Sequence, residues 1–114
     1  MKINTILILF LLVMILIFPS ILYSDEYSSQ HQKVVKLFES DEEPTTKDAL
    51  WTASNIFKVG VFNDGTNRNG YAQYVCQVLY NEGFKDKKVW VQVIDIGKLN
   101  STGKWIKLGE AQCN

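Results

Sequence analysis

Residues Asn55–Ile96 read "NIFKVGVFNDGTNRNGYAQYVCQVLYNEGFKDKKVWVQVIDI", and the fold follows from where this stretch changes rhythm. "NIFKVGVF", Asn55 to Phe62, is rich in β-branched and aromatic residues and runs into "NDGTNRNG", a continuous series of turn formers. Ala72, Val75, Cys76 and Leu79 then fall at i, i+3, i+4 and i+7, one stripe of an amphipathic helix. Tyr71, Tyr74 and Val78 flank the stripe, and Gly83 is a suitable C-terminal stop. After the charged turn "KDKK", the stretch "VWVQVIDI" from Val89 to Ile96 returns to a strong β pattern. A strand, a helix and a second strand make a crossover unit, so these two strands are expected to be parallel and the crossover right-handed.

Working outward, "GKLNSTG" reads as a loop, and "KWIKLGEAQC" supplies a last strand over 104–108. That strand is expected to return antiparallel, through a loop too long for a two-residue hairpin. Upstream, Thr45 and Asp48 resemble a capping box with the shorter acid, which predicts a short helix over 46–52 carrying Trp51 to the core edge. The expected fold is α+β: a small two-layer β-α-β-β domain over 46–114, one helix on a three-stranded mixed sheet. Along Val89–Ile96, Val89, Val91 and Val93 share one face and Trp90, Gln92, Ile94 and Ile96 the other. The smooth valine face suits the helix. The second face is expected either to lie under the 46–52 helix or to form an apolar patch for a partner, with Trp51, Phe62 or Trp105 joining it.

The N-terminus has the layout of a secretory signal peptide over residues 1–24: Lys2, an unbroken apolar run from Ile6 to Phe18, then Pro19, Ser20 and Ser24 before Asp25. Leu22 is large for the position three residues before a cut. The alternative is an uncleaved anchor, since residues 3–23 are long enough to cross a bilayer core as a helix. Either reading places the rest of the chain outside the cytoplasm, periplasmic or secreted, or anchored with the domain outside. Residues 25–45 read as a polar, acidic tether with one apolar cluster, in which Val34, Val35 and Phe38 suit one face of a short helix within 31–39. Such a helix either docks on the domain, lies on a membrane surface, or stays disordered until docked.

The chain's formal charge is zero, but it is divided. Residues 25–48 hold seven acids against three lysines, and residues 49–114 hold eight bases against five acids. A domain at +3 lacks the basic footprint of a nucleic-acid binder. Two cysteines in an exported chain satisfy even-number arithmetic, so Cys76 is expected to pair with Cys113. For a loop of this size the chain-entropy model assigns such a bond about 4 kcal/mol, which matters in a core this small. A metal site needs more ligands than two cysteines and the single His31. A cysteine nucleophile needs a reachable base, and burial on a helix stripe raises a thiol's pKa.

The Asn63–Asn69 loop approaches a phosphate-binding pattern through Gly60 and Gly65, but Thr66 and Asn67 replace the required Lys-Ser/Thr. It also lacks the acidic series of a calcium loop. It does join a strand's C-terminal end to a helix N-terminus, where ligands of parallel α/β units sit, with Asp64, Thr66 and Arg68 as polar handles. Lys85, Lys87, Lys88, Lys98, Lys104 and Lys107 are expected to gather at one end and edge of the sheet, either to discourage strand pairing or to meet an anionic surface. Asn100 opens an Asn-Ser-Thr glycosylation sequon. Asp95 and Glu110 offer no deducible acid–base pair. These observations point to an exported, non-catalytic binding domain that uses no cofactor and acts on a protein or envelope component. Its candidate contacts are Asp64, Thr66, Arg68, Trp51, Trp90 and Trp105. Its membrane contact would be residues 3–23 if uncleaved. The alternatives are a small enzyme, or an inhibitor of one, working through the Asn63–Asn69 loop, and a membrane-anchored accessory subunit.

Overall fold

A computed structural model describes residues 27–114; the expected signal peptide or anchor lies outside the described residues. Within them the chain forms α1 (Ser29–Phe38), β1 (Asp48–Ala53), β2 (Ile56–Val61), α2 (Asn69–Leu79), a π-helical turn at Tyr80–Phe84, β3 (Trp90–Asp95), α3 (Ile96–Thr102) and β4 (Lys107–Gln112). No helix among the described residues is long and apolar enough to cross a membrane. The four strands make one mixed sheet in the order β1-β2-β3-β4. β2 and β3 are parallel, joined by the crossover through α2, while β1 and β4 pair antiparallel on the outside.

The crossover unit and the antiparallel return of β4 match the expectation, and the fold is a small α+β domain. The count of elements differs: four strands and three helices stand where three strands and one helix are expected. The predicted 46–52 helix is the strand β1, whose residues alternate exposed and buried from Asp48 to Trp51. Ser54 and Asn55 form a two-residue turn between the partners Ala53 and Ile56, so β1 and β2 are a tight hairpin. The Asp48 carboxylate that resembles a helix cap instead accepts the adjacent Ala49 amide at 2.9 Å. The last strand begins three residues later than predicted, at Lys107, and runs on to Gln112.

Both long helices cover one face of the sheet. Ala72, Val75 and Leu79 of α2 pack on Val91 and Val93, as the valine face predicts, and Val34 and Phe38 of α1 are completely buried in the same core. Of the alternatives open for the short N-terminal helix, docking is the one observed. Trp51 Nε1 donates to the His31 carbonyl at 2.9 Å, and its ring stacks on Phe84 at 5.2 Å and lies 4.6 Å from Phe57. His31 is therefore held, by Ser28 and by the Ser54 carbonyl, inside an aromatic group with Tyr27, Trp51 and Phe84. The packed residues reach back to Tyr27, ahead of the expected start at residue 46.

Polar bonds fasten the segment between α1 and β1 to α2. The Tyr74 hydroxyl donates to buried Glu43 at 2.7 Å, and Tyr71 and Thr46 share a 2.6 Å hydroxyl bond. The Glu43 bond, with burial adding to it, pushes the Tyr74 phenol up to about 12. A disulfide joins Cys76 on α2 to Cys113 just past β4, with Cα atoms 5.3 Å apart, as the even count of cysteines predicts. Covalently, then, the helix and the last strand close one layer onto the other. Such a bond fits an oxidising compartment.

Candidate functional site

The segment Phe62–Asn69 leaves the C-terminal end of β2 and enters α2. Its side chains fold back onto its own backbone. Asn63 Oδ1 accepts the Gly65 amide at 2.9 Å, and Asp64 Oδ1 accepts both the amide (3.0 Å) and the hydroxyl (2.6 Å) of Thr66. Gly65 sits at φ 86°, a left-handed geometry that a side chain would strain. Arg68 reaches back to pair with Asp64 at 3.3 Å and donates to the Phe62 carbonyl at 3.0 Å. Asn67 Oδ1 accepts the Asn69 amide at 2.8 Å.

Two further bonds tie this loop to the outer strand. The Arg68 amide donates to the Leu108 carbonyl at 3.0 Å, and Asn69 Oδ1 accepts the Glu110 amide at 2.9 Å. Gly109 lies between them, directly beneath the Arg68 backbone. The electrostatics agree with this closed geometry. The Thr66 hydroxyl and amide, with Arg68 adding to them, hold the Asp64 carboxyl below the usual carboxylate range.

Asp64, Thr66 and Arg68 are thus brought together, but facing one another instead of outward. They build an internally bonded projection, and what it presents is Phe62, the most exposed large apolar side chain among the described residues at 63 %. Lys47 Nζ lies 5.6 Å from the Phe62 ring centroid. Phe62 and Asn63 also line a groove of about 390 Å³ with Asp95, Gly97, Lys98 and Ser101 of the β3–α3 junction. The carboxylate of Asp95 is buried and caps α3 through the Lys98 amide at 3.0 Å.

The three tryptophans separate. Trp51 is core and offers nothing to a partner. Trp90 is half-buried on the sheet face opposite α1 and α2, where its Nε1 donates to Glu110 at 3.0 Å and Lys107 Nζ lies 5.4 Å from its ring centroid. Lys107 and Glu110 are joined at 2.6 Å, and the Lys107 bond, then the Trp90 bond, lower the Glu110 carboxyl. Trp105 is half exposed beneath Lys58 Nζ, 4.8 Å from its ring centroid.

Strand registers set Leu50, Lys58, Gln92 and Glu110 in one row across this face, which neither α1 nor α2 covers. The expected covering helix is absent because Asp48–Ala53 is strand. Instead Ile96 and Leu99 of α3, with Trp105, close over part of the face and leave a dip of only about 40 Å³ beside Leu50. The expected single lysine cluster also divides. Lys85, Lys87 and Lys88 precede β3, whereas Lys98 lies beyond its other end. Lys85 and Lys87 sit over the rings of Tyr80 and Phe84 on the helix layer. Lys47 and Lys58, which the sequence reading passes over, complete the aromatic–lysine set. Only the pairing of β1 with β2 brings them there.

Comparison with protein families, with curated proteins and with solved structures yields no match for this chain.

Proposed function

We propose that this chain is an exported, non-catalytic binding domain, acting on a protein or envelope component through the Phe62–Asn69 loop and the adjoining sheet face around Trp105. The observation that carries this reading is the density of internal bonds in the loop. Six side-chain bonds and one backbone bond hold it before any partner arrives. A loop already ordered loses little conformational entropy on binding, so more of its contact energy appears as affinity. Phe62 and Trp105 are the exposed aromatic anchors such a surface needs. The disulfide supports export, because it is a bond that persists in oxidising compartments.

The test is position-resolved photo-crosslinking in intact cells, with the photoreactive residue at Phe62 or Trp105 and controls at Gln32 and Gln73 on the helix layer. The expected result is a discrete adduct from the first two positions and none from the controls. Adducts confined to the controls would refute the assignment of the surface.

A further inference from the structure

The groove of about 390 Å³ between the Phe62–Asn69 loop and the β3–α3 junction lies at the carboxyl ends of two parallel strands, where Val61 and Asp95 are register partners. Ligands of parallel sheets bind outside those ends. Asp95 is only 5 % exposed, yet it lines the groove. Its Oδ1 accepts the Lys98 amide, and its Oδ2 has no hydrogen-bond partner among the described residues. Among those residues Arg68 Nε is the only side-chain nitrogen or oxygen both sealed and unpartnered, so Asp95 Oδ2 keeps an opening to the groove. Gly97 brings no side chain across it; a methyl group there would stand 3.4 Å from Asp95 Oδ1. The other groups complement this acceptor. Asn63 uses its oxygen on the Gly65 amide and is left with N–H donors. Lys98, which no ion pair joins to Asp95, adds an ammonium, and Ser101 a hydroxyl that donates and accepts. Phe62 supplies the apolar wall.

We propose that this groove binds a neutral sugar unit of a glycan, with the sugar's C–H face on Phe62, one hydroxyl donating to Asp95 Oδ2 and a neighbouring hydroxyl accepting from Asn63 or Lys98. The proposal rests on the binding reading above and names the chemistry of what is bound. The balance of groups selects this class. An anion would face the Asp95 carboxylate. A cation would share the groove with Lys98 and meet Lys47 at the Phe62 ring. A purely apolar ligand would cover Asp95 Oδ2 and leave it unbonded, at a net cost. A polyol avoids all three conflicts, because each hydroxyl both donates and accepts. Adjacent hydroxyls can then serve the lone acceptor and the donors beside it, while the electron-rich face of the Phe62 ring attracts the weakly positive C–H groups.

The test is binding of the natively purified protein, kept free of sugar-headed detergent, to a panel of immobilised neutral oligosaccharides with hexose, N-acetylhexosamine, deoxyhexose and pentose units. At least one should be held, released by the same sugar in solution, and still held at about 1 M salt, which screens charge attraction. Asp95→Asn separates binding from folding. Asparagine offers the same cap oxygen to Lys98, so the denaturation midpoint should stay, while the free acceptor becomes a donor. Affinity should fall at least about tenfold, as for loss of one hydrogen bond to a charged group. Phe62→Ala should weaken binding too, and Gln32→Ala should not. Retention by no neutral sugar, retention that salt abolishes, release by glycine or lysine instead of sugar, or full affinity in both groove variants would each overturn the assignment. If a protein adduct still formed at Phe62 or Trp105 in cells, the binding reading would stand with a protein as its object. Absence of both signals would remove the two together.

Discussion

Gly109 lies so close beneath Arg68 that a methyl group on it would collide with the Arg68 carbonyl carbon and come within 2.6 Å of its oxygen. The obstacle is backbone, which cannot rotate away. Gly109→Ala should therefore cost about 1–3 kcal/mol of stability, the range for overpacking, and shift the Phe62–Asn69 loop. Urea denaturation measures the first effect and amide chemical shifts of Thr66 to Asn69 the second. An alanine variant with wild-type midpoint and shifts would contradict the contact.

The Cys76–Cys113 bond closes a separation of 37 residues. Its removal in the double variant Cys76→Ala, Cys113→Ala should lower stability by about 4 kcal/mol in the chain-entropy model. Comparing denaturation with and without reductant makes the same test on the wild type. Titration of two thiols in natively purified protein would show that the pair is not formed.

Tyr74 and Glu43 bind α2 to the segment ahead of β1. The Tyr74 pKa is raised from 10.0 to about 12, so the sign is that of a group whose folded form retains its proton longer. Its contribution to stability is complete below the unfolded value near pH 10 and is lost as pH rises through the folded value near 12. In Glu43→Gln, phenolate absorbance should show one tyrosine titrating earlier than in the wild type. An unchanged titration curve would place the cause elsewhere.

Phe38 is completely buried and meets Phe57 edge-on at 5.4 Å. Phe38→Ala should cost about 3–5 kcal/mol, the usual price of emptying a buried aromatic site. Were residues 29–38 a loose tether, the substitution would leave the denaturation midpoint where it was.

Periodicity made the centre of this fold readable. The valine face of β3 and the stripe on α2 are each carried by several residues repeating at a fixed interval, and the Cys76–Cys113 pairing by there being two cysteines and no more. β1 was hidden because Thr45 and Asp48 mimic a helix cap just where alternation begins, and because two residues, Ser54 and Asn55, suffice to turn the chain. α3 is short, and glycines within and after it read as loop, although Asp95 before it and left-handed Gly103 after it are its actual caps. Trp105 and Ile106 drew the expected strand toward themselves, whereas the pairing that exists needs Gly109 under Arg68. At the candidate site the loop's position was legible but its state was not. The i,i+4 spacing of Asp64 and Arg68 is compatible with facing a ligand or each other, and only the observed bonds choose.

Backbone order in the free protein tests the central claim, a contact loop set before its partner arrives. Amide relaxation should give order parameters of about 0.85 for residues 63–69, equal to those of β2 and β3. Asp64→Ala should lower those of Gly65 and Thr66 while leaving the strands unchanged. Values below about 0.6 across the wild-type loop would contradict the account, because the surface would then be mobile and its ordering would have to come from whatever it binds.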